Sequence, residues 1–186
     1  MQAVATLEVM EAPTEVTLDS ERSYEFVDGQ WEVKEMPSAQ HSGVCGRIFA
    51  KLVLYLVANP IGRLYPEASF QIGSRERVPD LAFLAVARIP LEGEPKTKWF
   101  IVPDIAIEVI SPTDLVYKVR EKLNDYLDAG VKQVWQVTPE DQTITIYRSH
   151  TNIIAFPDDS ELVCEDLLPG FRCRLSDIFT PDAINP

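Results

Sequence analysis

Cysteine and histidine are scarce in this chain, which has three cysteines and two histidines among 186 residues. Cys45, Cys164 and Cys173 are odd in number and far apart, so the sequence predicts no disulfide framework and favours a reducing, cytoplasmic location. A structural zinc site of the Cys/His type needs a closely spaced cysteine pair, which the chain lacks. Its eight glycines are scattered and form neither a Walker loop nor a dinucleotide-binding fingerprint.

Basic residues are also few. Lysine and arginine number 17 against 29 aspartates and glutamates, and the formal net charge is -12. This balance argues against a broad basic surface that grips nucleic acid through its phosphates. It is compatible with a small acidic pocket that holds a divalent metal.

Long apolar runs are missing as well. The longest, residues 48–61, is interrupted by Lys51 and Pro60, so we expect no membrane-spanning segment and no membrane partner. The first residues carry Glu8 and Glu11 without a lysine or arginine, which is not typical of a secretory signal. These features are consistent with a cytoplasmic protein.

The composition, 46% apolar and 25% charged, is that of a globular protein. A chain of this length can bury a full core as one domain. We predict a loosely held N-terminal arm over residues 1–20, one domain over 21–180, and a C-terminal tail over 181–186.

The hydrophobic patterns predict an α/β or α+β domain with one central mixed sheet flanked by helices. A hairpin is expected at the N-terminus, because Asp28-Gly29 separates two alternating runs. The predicted elements are the hairpin at 24–33, helices at 41–57 and 115–129, strands at 64–72, 78–85, 99–110, 131–137, 143–147 and 153–156, and a final strand or helical turn at 175–179.

Three acidic residues stand in apolar surroundings: Asp80 after Pro79, Asp104 after Pro103, and Glu108 inside a strand. A buried carboxylate is costly unless it is paired, hydrogen-bonded or bound to a metal. Asp104 and Glu108 share one face of their strand but lie roughly 13 Å apart, too far to bind one metal. Asp80, on an adjacent strand, is the more natural partner of Glu108. The alternatives are turn residues at strand starts for the two aspartates, and an ion pair for Glu108.

A basic partner for Glu108 is expected on the following helix. Lys122 falls at the edge of the buried stripe of that helix and could reach back over the strand end. Its alternative role is that of a rim lysine whose aliphatic stem lies on the core.

These residues resemble the active-site pattern of the PD-(D/E)XK nuclease superfamily, and more closely the Uma-two family of bacterial restriction endonucleases. The similarity covers roughly residues 20 to 180. It rests on Pro79-Asp80, the run 103–112 (PDIAIEVISP), Lys122, Tyr126, Gly130-Val131, Val134-Trp135, the hairpin and His41. The run 103–112 with the downstream Lys, Tyr and Gly-Val is the specific part, whereas Pro-Asp alone is a weak signal.

The resemblance implies a restriction-endonuclease-like fold in which Asp80 and Glu108 hold Mg²⁺ or Mn²⁺ and Lys122 acts from the helix. Ile110 stands where the superfamily pattern places lysine. Displacement of this lysine onto the following helix is usual in the Uma-two group. Asp104 matches a recurrent second Pro-Asp, and its spacing from Glu108 makes it a supporting residue more than a ligand.

Further candidates for the site are Glu67, Glu35 and His41, as an additional carboxylate or as a neighbour of the cleft. His41 and Cys45 are four residues apart on one helix face, but Cys45 beside an apolar stripe is typical of the core and not of a nucleophile. Loop residues that could contact phosphates are Arg75, Arg77, Arg88, Lys96 and Lys98, with ordinary solvated charge as the alternative.

The sequence therefore predicts a Mg²⁺-dependent DNA endonuclease that hydrolyses phosphodiester bonds. The alternatives are a non-catalytic binding or assembly module that keeps the nuclease fold, which the charge of -12 favours, and a metal-dependent phosphoesterase on another phosphate substrate. A homodimer could form through an exposed sheet edge or through the hairpin at 24–33.

Overall fold

The computed structural model describes residues 23–34 and 36–180. The predicted N-terminal arm, the predicted tail and Glu35 lie outside these residues. The strands are β1 (Tyr24–Val27), β2 (Gln30–Val33), β3 (Gly62–Pro66), β4 (Phe70–Ile72), β5 (Arg75–Arg77), β6 (Leu81–Ala85), β7 (Ile105–Val109), β8 (Gln133–Thr138), β9 (Thr143–Tyr147), β10 (Ile153–Phe156), β11 (Glu161–Val163) and β12 (Arg172–Arg174). The helices are α1 (Ala39–Ala58), α2 (Val116–Asp128) and α3 (Ser176–Phe179), with a 3-10 turn at Val86–Arg88.

The largest sheet is six-stranded and mixed, in the order β10-β9-β8-β7-β6-β3. Only the β7–β8 pair is parallel, because α2 connects these two strands and returns the chain to the same end of the sheet. Strand β7 lies at the centre. The prediction of a central mixed sheet flanked by helices is confirmed.

The two faces of β7 pack against different helices, as the period of two requires. Ile105 and Ile107 belong to the core cluster that contains Val44, Ile48 and Leu52 of α1. The intervening residue Ala106 belongs to the cluster that contains Leu123 and Tyr126 of α2. Glu108 shares the face of Ala106, and its side chain therefore points towards α2.

A second, four-stranded sheet in the order β2-β1-β5-β4 contains the N-terminal hairpin. Asp28 and Gly29 both have positive φ, 49° and 83°, which is the conformation of the tight turn that Asp-Gly favours. Phe26 of β1 pairs with Glu76 of β5, so the hairpin joins the rest of the domain. Strand β2 is at the edge of this sheet. Dimerisation through the hairpin stays a prediction.

Some predicted elements are shorter or divided. The predicted strand at 64–72 is two strands in different sheets, β3 and β4, because the chain turns at Glu67, where φ is +47°. The predicted strand at 99–110 is regular only over β7, since Pro103 cannot donate a ladder hydrogen bond. The run predicted at 78–85 becomes a strand at Leu81, one residue after Asp80.

Helix α1 is capped at its N-terminus by Ser38, whose hydroxyl accepts the N–H of His41 at 3.1 Å. With 20 residues it is the one helix among the described residues that is long and apolar enough to cross a membrane by length and composition. Three of its residues, Val44, Ile48 and Leu52, are nonetheless buried in the domain core. Packing of this helix against the central sheet accounts for its apolar face.

Candidate active site

Asp80 is buried, with 2% of its surface exposed, immediately before β6. Its Oδ2 accepts the backbone N–H of Val109 at 2.7 Å and lies 3.1 Å from Nε2 of His41. Its Oδ1 accepts a bond of 2.8 Å from Nζ of Lys34. Burial would raise the pKa of Asp80, but His41 and Lys34 hold it well below its usual value. Asp80 is therefore ionised and fully paired.

Glu108 lies beside Asp80 on the neighbouring strand. Leu81 of β6 pairs with Ile107 of β7 in antiparallel register, so the residue before Leu81 and the residue after Ile107 are adjacent. The carboxylate of Glu108 accepts a 2.6 Å bond from the hydroxyl of Tyr126 and lies 3.5 Å from Nζ of Lys122. Burial raises the pKa of Glu108, and the nearby Asp80 charge adds to the rise.

Lys122 reaches the site from α2, where the helical stripe predicts it. Its ammonium lies closer to Glu25, at 2.8 Å, than to Glu108, at 3.5 Å. Burial would lower the pKa of Lys122, but Glu108 and Glu25 hold it above its ordinary value. The ammonium is thus shared between a carboxylate of the hairpin and one of the central strand.

Glu25 and Lys34 are site residues that the sequence predictions do not include. Glu25 and Val27 lie on the buried face of β1. A charged residue where the alternation of the strand predicts an apolar one is the feature of the sequence that indicates Glu25. Lys34 follows the last residue of β2 and carries no comparable signal, because its contact with Asp80 joins residues 46 positions apart.

A cavity of about 540 Å³ opens over these residues. Its lining includes all three predicted site residues, Asp80, Glu108 and Lys122, together with His41 and Glu67. The backbone N–H of Glu67 donates a 3.2 Å bond to the carbonyl of Asp80, which ties the turn after β3 to the site. A pocket of this size admits a nucleotide-sized group.

Cys45 does not supply a nucleophile to this cavity. It is partly buried against the core, and burial raises the pKa of its thiol to about 11. The thiol is therefore protonated at neutral pH, which agrees with the core role that the sequence favours.

Asp104 occupies a different place from the other two carboxylates. It is fully buried, accepts the N–H of Ala85 at 2.8 Å and forms ion pairs with Arg88 and Lys132 at 2.9 and 2.8 Å. It is not among the residues that line the cavity. The spacing argument that separates Asp104 from Glu108 thus agrees with the geometry.

The predicted phosphate-contacting arginines are engaged within the protein. Arg77 is buried and bonds Glu25 at 2.9 Å and Glu121 at 2.8 Å. Arg75 bonds Asp28 at 2.8 Å and Asp125 at 2.9 Å. Arg88 and Lys98 are likewise paired, with Asp104 and Glu76, whereas Lys96 is exposed. Arg75 and Arg77 join the hairpin to α2, so neither is an ordinary solvated loop charge, and contact of this group with phosphates stays a prediction.

The protein side chains alone supply only part of the coordination shell of a hard divalent cation. Across residues 23–34 and 36–180, no three His, Cys, Asp or Glu side chains are placed to hold a metal ion. Mg²⁺, however, is commonly bound by one or two carboxylates with water and substrate phosphate completing its shell. Asp80 and Glu108 are such a pair. Burial and the nearby Asp80 charge raise the pKa of Glu108, and a bound cation would lower it.

The mixed sheet flanked by helices is that of the restriction-endonuclease-like class. The chain belongs to the family described as "Putative restriction endonuclease" (Uma2), whose model matches residues 7–176. It is similar to the solved structure of a "putative nuclease belonging to DUF820 from Anabaena variabilis ATCC 29413", with 25% identity, a TM-score of 0.78 and coverage of 87% of this chain and 92% of that chain. No curated protein matches the chain. The predicted family and fold are confirmed, and the matches support a nuclease at the level of the family.

Proposed function

We propose that the protein is a divalent-metal-dependent DNA endonuclease whose site is built on Asp80, Glu108 and Lys122. The observation that carries this proposal is the adjacency of a buried carboxylate, Asp80, and a partly buried one, Glu108, at neighbouring strands, each beside a lysine, at the floor of a cavity. Asp80 also supports the fold through its bond to Val109, but Glu108 beside it adds a repulsion that opposes folding, so a structural role alone does not explain the pair. Membership of the family supports the same reaction class.

Asp80 and Glu108 would hold Mg²⁺ or Mn²⁺. When bound, this ion lowers the pKa of a coordinated water and neutralises charge on the phosphate. The other residues prepare the two carboxylates for this task. Tyr126 fixes one oxygen of Glu108 through its hydroxyl, and the N–H of Val109 with His41 fixes Oδ2 of Asp80. Such fixed partners prevent the ligands from reorienting during the reaction.

Lys122 would stabilise the negative charge that develops on the phosphate. Its ammonium is fully charged, because Glu108 and Glu25 hold its pKa above the ordinary value despite burial. Tethering by Glu25 at 2.8 Å keeps the charge within the cavity and away from bulk water. A fixed cation in a place of low dielectric acts strongly on a developing oxyanion.

The acidic surroundings favour a second candidate, a metal-dependent phosphoesterase that acts on a small phosphate substrate. Four cationic side chains line the cavity, and each is paired with a carboxylate: Lys34, Arg77, Lys118 and Lys122. A small substrate needs fewer phosphate contacts than a DNA duplex does. The non-catalytic module is the further alternative, since the protein already balances most charges at the site.

The test is cleavage of supercoiled plasmid and single-stranded DNA with Mg²⁺, Mn²⁺ or EDTA. Wild type is compared with Glu108→Gln, and with Glu140→Gln as a control for an exposed glutamate in a turn. We expect metal-dependent cleavage that falls at least about 100-fold in Glu108→Gln and persists in Glu140→Gln. Cleavage equal in all three proteins would indicate a contaminating nuclease. Hydrolysis of small phosphodiesters without DNA cleavage would select the second candidate.

A further inference from the structure

We propose that Lys34 is a catalytic residue of this site. Its ammonium is paired with Asp80 at 2.8 Å, and when Asp80 binds a divalent cation the same ammonium contacts the substrate phosphate. This inference rests on the proposed function and adds to it a residue from the N-terminal hairpin.

Lys34 lies directly against Asp80. Its Nζ lies 2.8 Å from Oδ1 of Asp80 and 3.2 Å from the carbonyl oxygen of Val78, and 16% of its side chain is exposed. The residue lines the cavity. The ammonium is therefore held at the floor of the site with part of its surface open to a ligand.

The two oxygens of Asp80 are used differently. Oδ2 already accepts the Val109 N–H and lies against the ring of His41. Oδ1 is bonded to Lys34 alone among the hydrogen bonds found in the described part of the chain. A divalent cation that binds Asp80 would take Oδ1, which is the position that Lys34 occupies. Because two cations repel each other at such distances, the ammonium must move when the metal binds.

The ammonium can stay in the cavity after this movement. Lys34, Glu108 and Lys122 all line this cavity, and Glu25 holds the ammonium of Lys122 at 2.8 Å. Two lysines that line one cavity with the carboxylate pair can contact different oxygens of one phosphate group.

Several contacts hold the hairpin to the rest of the domain, so the fold fixes the position of Lys34 beside Asp80. The backbone N–H of Lys34 donates a 2.9 Å bond to the carbonyl of Ser23, which extends the hairpin ladder past β2. Glu25 and Glu32 of the hairpin are paired with Arg77 and Lys118. Movement of Lys34 can therefore be confined to its flexible side chain, which has four rotatable bonds.

Two measurements on the same proteins test the proposal: the affinity for Mn²⁺ without DNA, by electron paramagnetic resonance of the free ion, and the cleavage rate at saturating Mn²⁺. The proteins are wild type, Lys34→Met, Lys34→Arg and the control Lys51→Met, which removes a lysine that is paired with Asp177 and does not line the cavity. We expect Lys34→Met to bind Mn²⁺ about tenfold more tightly, because the competing charge is gone. Its cleavage rate should fall at least about 100-fold.

Lys34→Arg should keep the wild-type affinity for Mn²⁺ within about threefold and lose part of the cleavage rate, because guanidinium retains the charge with another geometry. Lys51→Met should bind Mn²⁺ as wild type does. If Lys34→Met is poorly folded by circular dichroism, Lys34→Arg decides the question through the same two measurements.

Several results would overturn the proposal. If Lys34→Met binds Mn²⁺ more tightly but cleaves DNA as fast as wild type or faster, Lys34 only competes with the cation and has no part in catalysis. Unchanged or weaker Mn²⁺ binding in a folded Lys34→Met protein would make its role structural. If wild type itself neither binds Mn²⁺ nor cleaves DNA, the proposed function fails first and the role of Lys34 fails with it.

Discussion

The side chain of Asp80 and the backbone of Val109 are joined across two strands by a 2.7 Å hydrogen bond. The regular β6–β7 pairing runs from Phe83 to Leu81 and ends there. Beyond it, the Asp80 carboxylate serves as the acceptor for the next N–H of β7. This bond holds Asp80 beside Glu108, and it means that one carboxylate contributes both to the fold and to the candidate site.

Replacing Asp80 by alanine should therefore destabilise the protein. The change leaves the buried N–H of Val109 without its acceptor and the ammonium of Lys34 without its carboxylate partner. Breaking a buried ion pair in this way costs about 3–5 kcal/mol. We expect a loss of this size in the free energy of unfolding, measured by urea denaturation.

Glu108→Gln provides the comparison for this experiment. The amide oxygen can still accept the bond from Tyr126, and removal of the carboxylate eliminates its repulsion with Asp80. The variant should be about as stable as wild type or more stable. A large loss of stability in Glu108→Gln with none in Asp80→Ala would contradict this assignment of roles.

Divalent cations should stabilise the folded protein through Asp80 and Glu108. A ligand that binds only the native state at 100 times its Kd adds about 2.7 kcal/mol to the free energy of unfolding. We expect Mn²⁺ to raise the Tm of wild type and to have little effect on Asp80→Asn or Glu108→Gln. The control is Asp104→Asn, whose carboxylate is equally buried but contacts Arg88 and Lys132 outside the cavity. Its Tm should be lower, but the increase with Mn²⁺ should remain.

The faces of β7 and α2 that carry Glu108 and Lys122 follow from local patterns. Alternation along β7 sets the face of Glu108, and the helical stripe sets the position of Lys122. The same patterns predict the hairpin, because Asp-Gly favours a tight turn with positive φ at both residues. Each of these signals depends on neighbours within a few residues in the chain.

The remaining features depend on contacts between distant segments. Lys34 and Asp80 are 46 residues apart, and no local pattern brings them together. Arg77 appears in the sequence as a loop cation, yet it is buried between Glu25 and Glu121. The division of residues 64–72 into two sheets depends on a non-glycine residue with positive φ, Glu67, which residue preferences disfavour.

Glu25 should make the stability of the protein depend on pH. Burial would raise the pKa of Glu25, but Lys122 and Arg77 hold it below its ordinary value of 4.5. A depressed pKa contributes stability above the unfolded value and loses it as pH falls. We expect Glu25→Gln to lower the free energy of unfolding by about 2 kcal/mol at pH 7. The difference from wild type should shrink as pH falls below about 4.5.

Chemical denaturation at pH 7 and at several acidic values measures this effect. Glu161→Gln is the matched control, because its ion pair with Arg172 is exposed on the surface, and such pairs contribute little. A difference between wild type and Glu25→Gln that stays constant with pH would show that the charge of Glu25 has no part in the stabilisation.

The cavity should favour single-stranded over duplex DNA. Its four cations are already paired with carboxylates, so little positive charge is left for the phosphates of a duplex. The apolar side chains of Met36 and Tyr117 line the cavity while 87% and 64% exposed. Unpaired bases can stack on an exposed aromatic ring, which contributes about 1–3 kcal/mol per base. We expect faster cleavage of single strands and a shallow dependence on salt.

Tyr117→Ala tests this preference directly. Binding of a fluorescent single-stranded oligonucleotide should weaken by at least about fivefold, since the loss of one stacked base has this effect or a larger one. Phe100→Ala is the control, because Phe100 is 74% exposed but does not line the cavity. Duplex DNA cleaved faster than single strands, with a steep fall in rate as salt increases, would show that phosphate contacts dominate. Some of the paired lysines and arginines would then have to exchange a carboxylate for a phosphate when DNA binds.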